Sequence, residues 1–208
     1  MKDLVKKINY LKKTDVKKKI DRKTSVFSKI KNKSNKEIFK ELSFCVLTAN
    51  YNAKKAIEIQ KKIGSGFITL SQKQLAESLK KLGYRYPNIR SEYIVYNRQY
   101  IDDLKKVLKN FKGLALRDWF AENIKGLSYK ESSHFLRNIG YNDYAIIDFH
   151  IVDVLIEHGY LKEKPKSLNR QRYLEIENIL EKISKKVNLS QGELDFYLWY
   201  LETRTILK

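Results

Sequence analysis

The residues best suited to chemistry lie between Ile124 and His150: Gly126 in a short polar turn, Lys130 at the beginning of an amphipathic helix, Gly140 as its stop, and Asp148 opening the next helix. A lysine amine is a nucleophile once it has lost its proton, and a carboxylate at a helix beginning is kept ionised by the helix dipole. Such a carboxylate can orient an amine or stabilise positive charge developing on a sugar. Both side chains also have plain uses, Asp148 as a helix cap and Lys130 as a solvated charge among 43 Lys and Arg. The turn at Gly126–Ser128, set between two helices, points backbone N–H groups outward. With the partial positive charge of the following helix N-terminus it forms a sequence-independent seat for a phosphate.

Helices must position these groups. No strand-like alternation of useful length and no internal repeat occurs, so the fold class is all-α. Leu4, Val5, Ile8 and Leu11 keep helical spacing on a first surface helix. Ser34-Asn35-Lys36-Glu37 is a polar helix start, and Ile38, Phe39, Leu42, Val46 and Leu47 after it form a wide apolar stripe, as expected of a central core helix. Further helices are predicted over Ala53–Ile63, from a Ser71 cap to Leu82, over Arg90–Asn110 with an interruption near Tyr100, over Leu116–Ile124, 130–140, Asp148–His158 and Asn169–Val187, and from Ser190 to the C-terminal tail. Gly64-Ser65-Gly66 reads as a break. Gly83-Tyr84-Arg85-Tyr86-Pro87 is an unusual linker: its aromatics can enter a base stack while the guanidinium bonds an unpaired base, or a tyrosine can pack at the helix junction.

A net charge of +19 on 208 residues points to a polyanion, nucleic acid first, with an anionic membrane or a merely lysine-rich surface as alternatives. Residues 1–36 carry fourteen Lys and Arg against three Asp and Glu, a run that reads equally as a solvated face or as phosphate contacts. No apolar stretch is long enough to span a membrane, and the start lacks the apolar block of a signal peptide, so the expected location is cytoplasmic. One cysteine, Cys45, excludes an internal disulfide and a four-cysteine cluster within one chain, and its apolar neighbours make it a buried, inert thiol. The three histidines have no zinc spacing.

Gly126 through His150 resembles the helix-hairpin-helix and following catalytic aspartate of the DNA base-excision glycosylases, in the branch that carries a lysine nucleophile. Leu47-Thr48-Ala49-Asn50, Leu82-Gly83-Tyr84-Arg85, Tyr129 to Asn138, Leu174 to Leu180, Trp199-Tyr200-Leu201 and the final lysine are similar to the compact archaeal-type 8-oxoguanine DNA glycosylase/AP lyases. The resemblance implies two helical lobes with a cleft between them, one of residues 31–133 carrying the hairpin and one of 1–30 with 134–208. It implies excision of 8-oxoguanine from duplex DNA through a Lys130 Schiff base and β-elimination, with Asp148 assisting. Trp199, His134 and Lys208, the last through a free carboxylate, would recognise the base; Gly126, Ser128, Arg85, Tyr86 and Asn50 would contact DNA. No metal, no iron–sulfur cluster and no other cofactor is expected, and the protein would be a monomer associated with a prokaryotic nucleoid. The competing readings are a catalytically inactive helix-hairpin-helix DNA-binding protein, a glycosylase for another damaged base, and an unrelated basic helical protein. In the family the hairpin commonly has glycine where this chain has Ser128; a positive φ there would strain serine by roughly 1 kcal/mol.

Overall fold

The computed structural model describes residues 2–208, and all regular structure among them is helical. The helices are α1 (Lys2–Leu11), α2 (Asp15–Ile30), α3 (Asn35–Thr48), α4 (Ala53–Ile63), α5 (Gly66–Thr69), α6 (Gln72–Lys81), α7 (Pro87–Asn97), α8 (Leu104–Asn110), α9 (Gly113–Asn123), α10 (Tyr129–Asn138), α11 (Phe149–Glu157), α12 (Arg170–Val187) and α13 (Gln191–Thr203). No helix among the described residues is long and apolar enough to cross a membrane. The chain divides into two compact units. One comprises the residues up to Ser28 together with Leu136–Leu207, the other Lys29–Phe135 together with Lys208, so the boundaries fall inside α2 and α10.

The second of these units is built on α3. Ser34 caps it by accepting from the Glu37 N–H, and every residue from Glu41 to Thr48 is buried along with Ile38 and Phe39. A helix apolar nearly all round belongs inside a domain, and α4, α5, α7 and α8 surround this one. The sequence predicts a helix from Arg90 to Asn110 with an interruption near Tyr100, and the interruption is there: α7 ends at Asn97, a 3₁₀ turn follows over Arg98–Tyr100, and α8 starts at Leu104. The guanidinium of Arg98 explains the break: it donates to the carbonyls of Phe67 (2.9 Å) and Leu70 (2.7 Å), which holds the chain against α5. That short helix was not foreseen, because Gly66 reads as a breaker. It is buried, and a Cβ there would stand 2.9 Å from the Leu70 side chain.

In the first unit α12 and α13 pack on each other, α1 lies against both, and α11 packs on α13. The basic run is amphipathic: α2 turns Val16, Ile20 and Phe27 inward and leaves its lysines in water. Arg137 at the end of α10 is buried here. Its guanidinium lies 4.2 Å from the Phe196 ring centre and 5.3 Å from that of Phe27, and it pairs with Asp195 at 3.3 Å. Cys45 is buried, as expected.

Candidate active site

The Gly126 turn is held from below. The side-chain amide of Asn97, fully buried, accepts from the Lys125 N–H (3.0 Å) and donates to the Lys125 carbonyl (2.9 Å), acting as a stretch of backbone would. Gly126 has φ +87°, and a Cβ would come within 2.8 Å of the Tyr93 ring and 3.2 Å of Arg90 and Val46. Both the conformation and the space exclude other residues.

Ser128 is not strained. Among the described residues the positive φ angles outside glycine belong to Asn50, Asn188 and Arg204. Ser128 precedes α10 as a cap: its hydroxyl and its N–H (3.3 Å) both donate to Glu131 Oε2, while its carbonyl accepts from Ser132. Serine therefore replaces glycine by taking up a helix-start role, with Glu131 reaching back to satisfy the amide.

Lys130 lies in the first turn of α10 with 29% of its side chain exposed and its Nζ 3.8 Å from Glu131 Oε1. One turn on, His134 is buried with its ring edge on Phe44, centroids 5.7 Å apart. The Lys208 ammonium stands 4.6 Å over the same Phe44 ring. Two of the residues nominated for base recognition thus share one wall. Arg117, buried on α9, braces this start of α10 through Ser133 Oγ (3.3 Å) and the Tyr129 ring (4.9 Å).

The remaining nominees of this unit also meet. The two readings of the 83–87 linker separate by residue: Tyr84 is buried and donates to the Leu47 carbonyl (2.8 Å), whereas Arg85 is exposed with its guanidinium 5.1 Å over the partly exposed Tyr86. Burial pushes the Tyr84 phenol up to about 12, so it remains a donor. Tyr51 lies edge-on to Tyr84 at 4.4 Å, and Arg90 donates to the Ala49 carbonyl at 3.3 Å. Asn50, exposed with φ +56°, lies between the Ala49 carbonyl that Arg90 holds and the Tyr51 ring on Tyr84, and the same Arg90 guanidinium lies close to Gly126.

Asp148 belongs to the first unit. It is the extended N-cap of α11, and its Oδ1 accepts from the N–H groups of His150 (3.0 Å) and Ile151 (3.1 Å). The segment leading to it is pinned by α12: Tyr173 donates to the Ala145 carbonyl (2.8 Å) and accepts from Ile147 N–H (3.0 Å), and Glu177 accepts from Ala145 N–H (3.0 Å). His150 Nδ1 is 2.8 Å from Glu202 Oε1, and its ring meets Trp199 edge-on at 5.7 Å. No group of His, Cys, Asp and Glu among the described residues could hold a metal ion.

A family model described as 8-oxoguanine DNA glycosylase matches residues 20–189. The chain belongs to the 8-oxoguanine DNA glycosylase family. A relative from Methanocaldococcus jannaschii named 8-oxoguanine DNA glycosylase/AP lyase is 51% identical, over 99% of each chain. One of the same name from Korarchaeum cryptofilum is 48% identical, over 99% of this chain and 98% of its own. The fold matches the crystal structure of the M. jannaschii 8-oxoguanine glycosylase/lyase in complex with a 15mer DNA containing 8-oxoguanine, with a TM-score of 0.95, 50% identity and 99% of each chain covered.

Within this family member, sequence reasoning passed over the residues that hold the others in place. Asn97, Arg90, Arg117 and His150 carry no local motif. Glu131 alone had a signal, its three-residue spacing from Ser128, which is that of a capping box.

Proposed function

We propose that the protein is a bifunctional 8-oxoguanine DNA glycosylase/AP lyase acting on duplex DNA. The observation that carries this reading is the identity of about half the residues along 99% of the chain to a protein so named. The site geometry supports it residue by residue.

A lesion in a duplex must leave the base stack before chemistry can reach it, at a cost of a few kcal/mol. Tyr86 fills the gap and Arg85 bonds the orphaned partner base, both held by the Tyr84–Leu47 and Arg90–Ala49 bonds. The phosphate backbone is gripped at the Gly126–Ser128 turn and near Asn50. Trp199 stacks on the extruded base, while Lys208 and His134 read its edge.

Lys130, as the neutral amine, attacks C1′ of the sugar. The C1′–N9 bond breaks, its electron pair leaves with the base, and N9 takes up a proton. Nζ gives up a proton and its lone pair forms the C1′=Nζ bond as the C1′–O4′ bond breaks, O4′ takes up a proton, and the opened sugar is an iminium ion. This iminium acidifies the C2′ proton, whose loss expels the 3′ phosphate and nicks the strand. Asp148 stabilises the cationic sugar or helps deprotonate the amine. The iminium formed with Lys130 is itself the electron sink for the elimination, so these steps call for no cofactor, and one cysteine cannot hold an iron–sulfur cluster. The protein works as a monomer on the nucleoid in the cytoplasm.

The test is a duplex carrying one 8-oxoguanine. Release of the free base with a nick at the same position is expected. Binding with neither event would leave an inactive DNA-binding protein, and a nick only at other lesions would assign another substrate.

A further inference from the structure

Lys208 is anchored by groups 167 and 148 residues away in sequence. Its ammonium donates to Glu41 Oε2 at 2.6 Å and to Gln60 Oε1 at 2.7 Å, with the Phe44 ring beneath it. Gln60, on α4, is itself fixed, because its Nε2 donates to the same Glu41 oxygen (3.2 Å) and to the Lys40 carbonyl (3.2 Å). Carboxylate, amide and ring are three sides of a socket shaped for one ammonium.

The placement of Glu41 is the telling feature. It is 4% exposed in the central helix of its unit, between Lys40 and Leu42, where a leucine or methionine would fill the volume without desolvating a charge. A small cavity of about 210 Å³ lined by Ile30, Lys33, Glu37, Lys40, Glu41 and Gln60 borders the socket. The residues between α13 and Lys208 have no secondary structure and begin at Arg204 in the left-handed region. Fixing the Lys208 side chain therefore orders a segment that nothing regular would order, before any substrate arrives.

We infer that Glu41 and Gln60 are positioning residues for oxidised-base recognition, holding Lys208 by its ammonium so that its main chain is presented to the base at a fixed place. This rests on the reading that Lys208 contacts the base.

The test compares two duplexes, one with 8-oxoguanine opposite cytosine and one with an abasic site, using the whole chain. Glu41→Gln and Lys208→Ala each slow 8-oxoguanine excision roughly ten-fold or more, the worth of one charge-assisted hydrogen bond. The double variant is no slower than either alone. Glu41→Gln keeps abasic-site cleavage, where no base is read. Gln60→Ala, on a less buried side chain, gives a smaller loss with the same selectivity, and provides the test should Glu41→Gln fold poorly. Equal loss of both activities in Glu41→Gln and Gln60→Ala overturns the proposal, leaving a structural ion pair. Unchanged excision in those variants, alongside a protein that fails on 8-oxoguanine once Lys208 is deleted, overturns the socket and leaves the recognition reading intact. Full excision after deletion of Lys208 overturns both.

Discussion

In the proposed mechanism Asp148 combines two tasks that a substitution can separate. As an N-cap it satisfies two N–H groups of α11, a role that asparagine fills almost equally well. As a carboxylate it supplies negative charge, which asparagine does not. Asp148→Asn should therefore leave stability within about 0.5 kcal/mol while lowering excision about 100-fold or more. Asp148→Ala should lose about 1 kcal/mol as well. Urea denaturation and single-turnover kinetics read the two effects, and an active Asp148→Asn would reduce the residue to a cap. What the sequence exposes at this scale is local: Ser34, Ser71, Asp148 and Ser190 cap groups two or three residues away, so short spacing reveals them. Asn97, Arg90 and Glu41 bond groups 28, 41 and 167 residues distant, and no periodicity encodes such partners.

Among the elements, the hairpin before α10 is the most demanding. Gly126 has both a left-handed φ and a crowded Cβ position, whereas Gly83 has a positive φ (+73°) with nothing within 4 Å. Gly83→Ala should cost about 1 kcal/mol, from backbone strain alone. Gly126→Ala should cost about 2–3 kcal/mol and weaken binding to undamaged duplex, since Tyr93 and Arg90 must move. Equal losses in the two variants would mean that the hairpin is looser than its contacts imply. Helices with clear caps and stripes, such as α4, α6 and α13, were legible to within a residue or two. The interruption near Tyr100 was legible too, but its cause, the Arg98 bonds to Phe67 and Leu70, was not, and the helix at Gly66 was missed because its glycine reads as a breaker while the crowding by the Ile63 and Leu70 side chains is invisible in the sequence.

For the whole molecule, the charge of +19 makes non-specific affinity for duplex DNA fall steeply with salt, roughly a thousand-fold or more between about 50 and 200 mM. Anisotropy titrations should show a linear log–log dependence, and a flat response would contradict phosphate contacts. Alkaline stability draws on a strongly shifted tyrosine in each unit. Burial pushes Tyr84 and Tyr197 up to about 12, with Asp21 and Glu193 adding to the shift at Tyr197. The folded state then holds protons that the unfolded state loses from its ordinary value of 10.0, so stability is full below that pH and declines as pH rises towards about 12. A denaturation midpoint unchanged across that window would contradict their burial. The central claim, that Lys130 is the nucleophile, is tested most directly by borohydride reduction during turnover on a duplex containing one 8-oxoguanine. The account predicts a covalent protein–DNA adduct with the native chain and none with Lys130→Gln; an undiminished adduct from Lys130→Gln, or no adduct from the native chain, would contradict it.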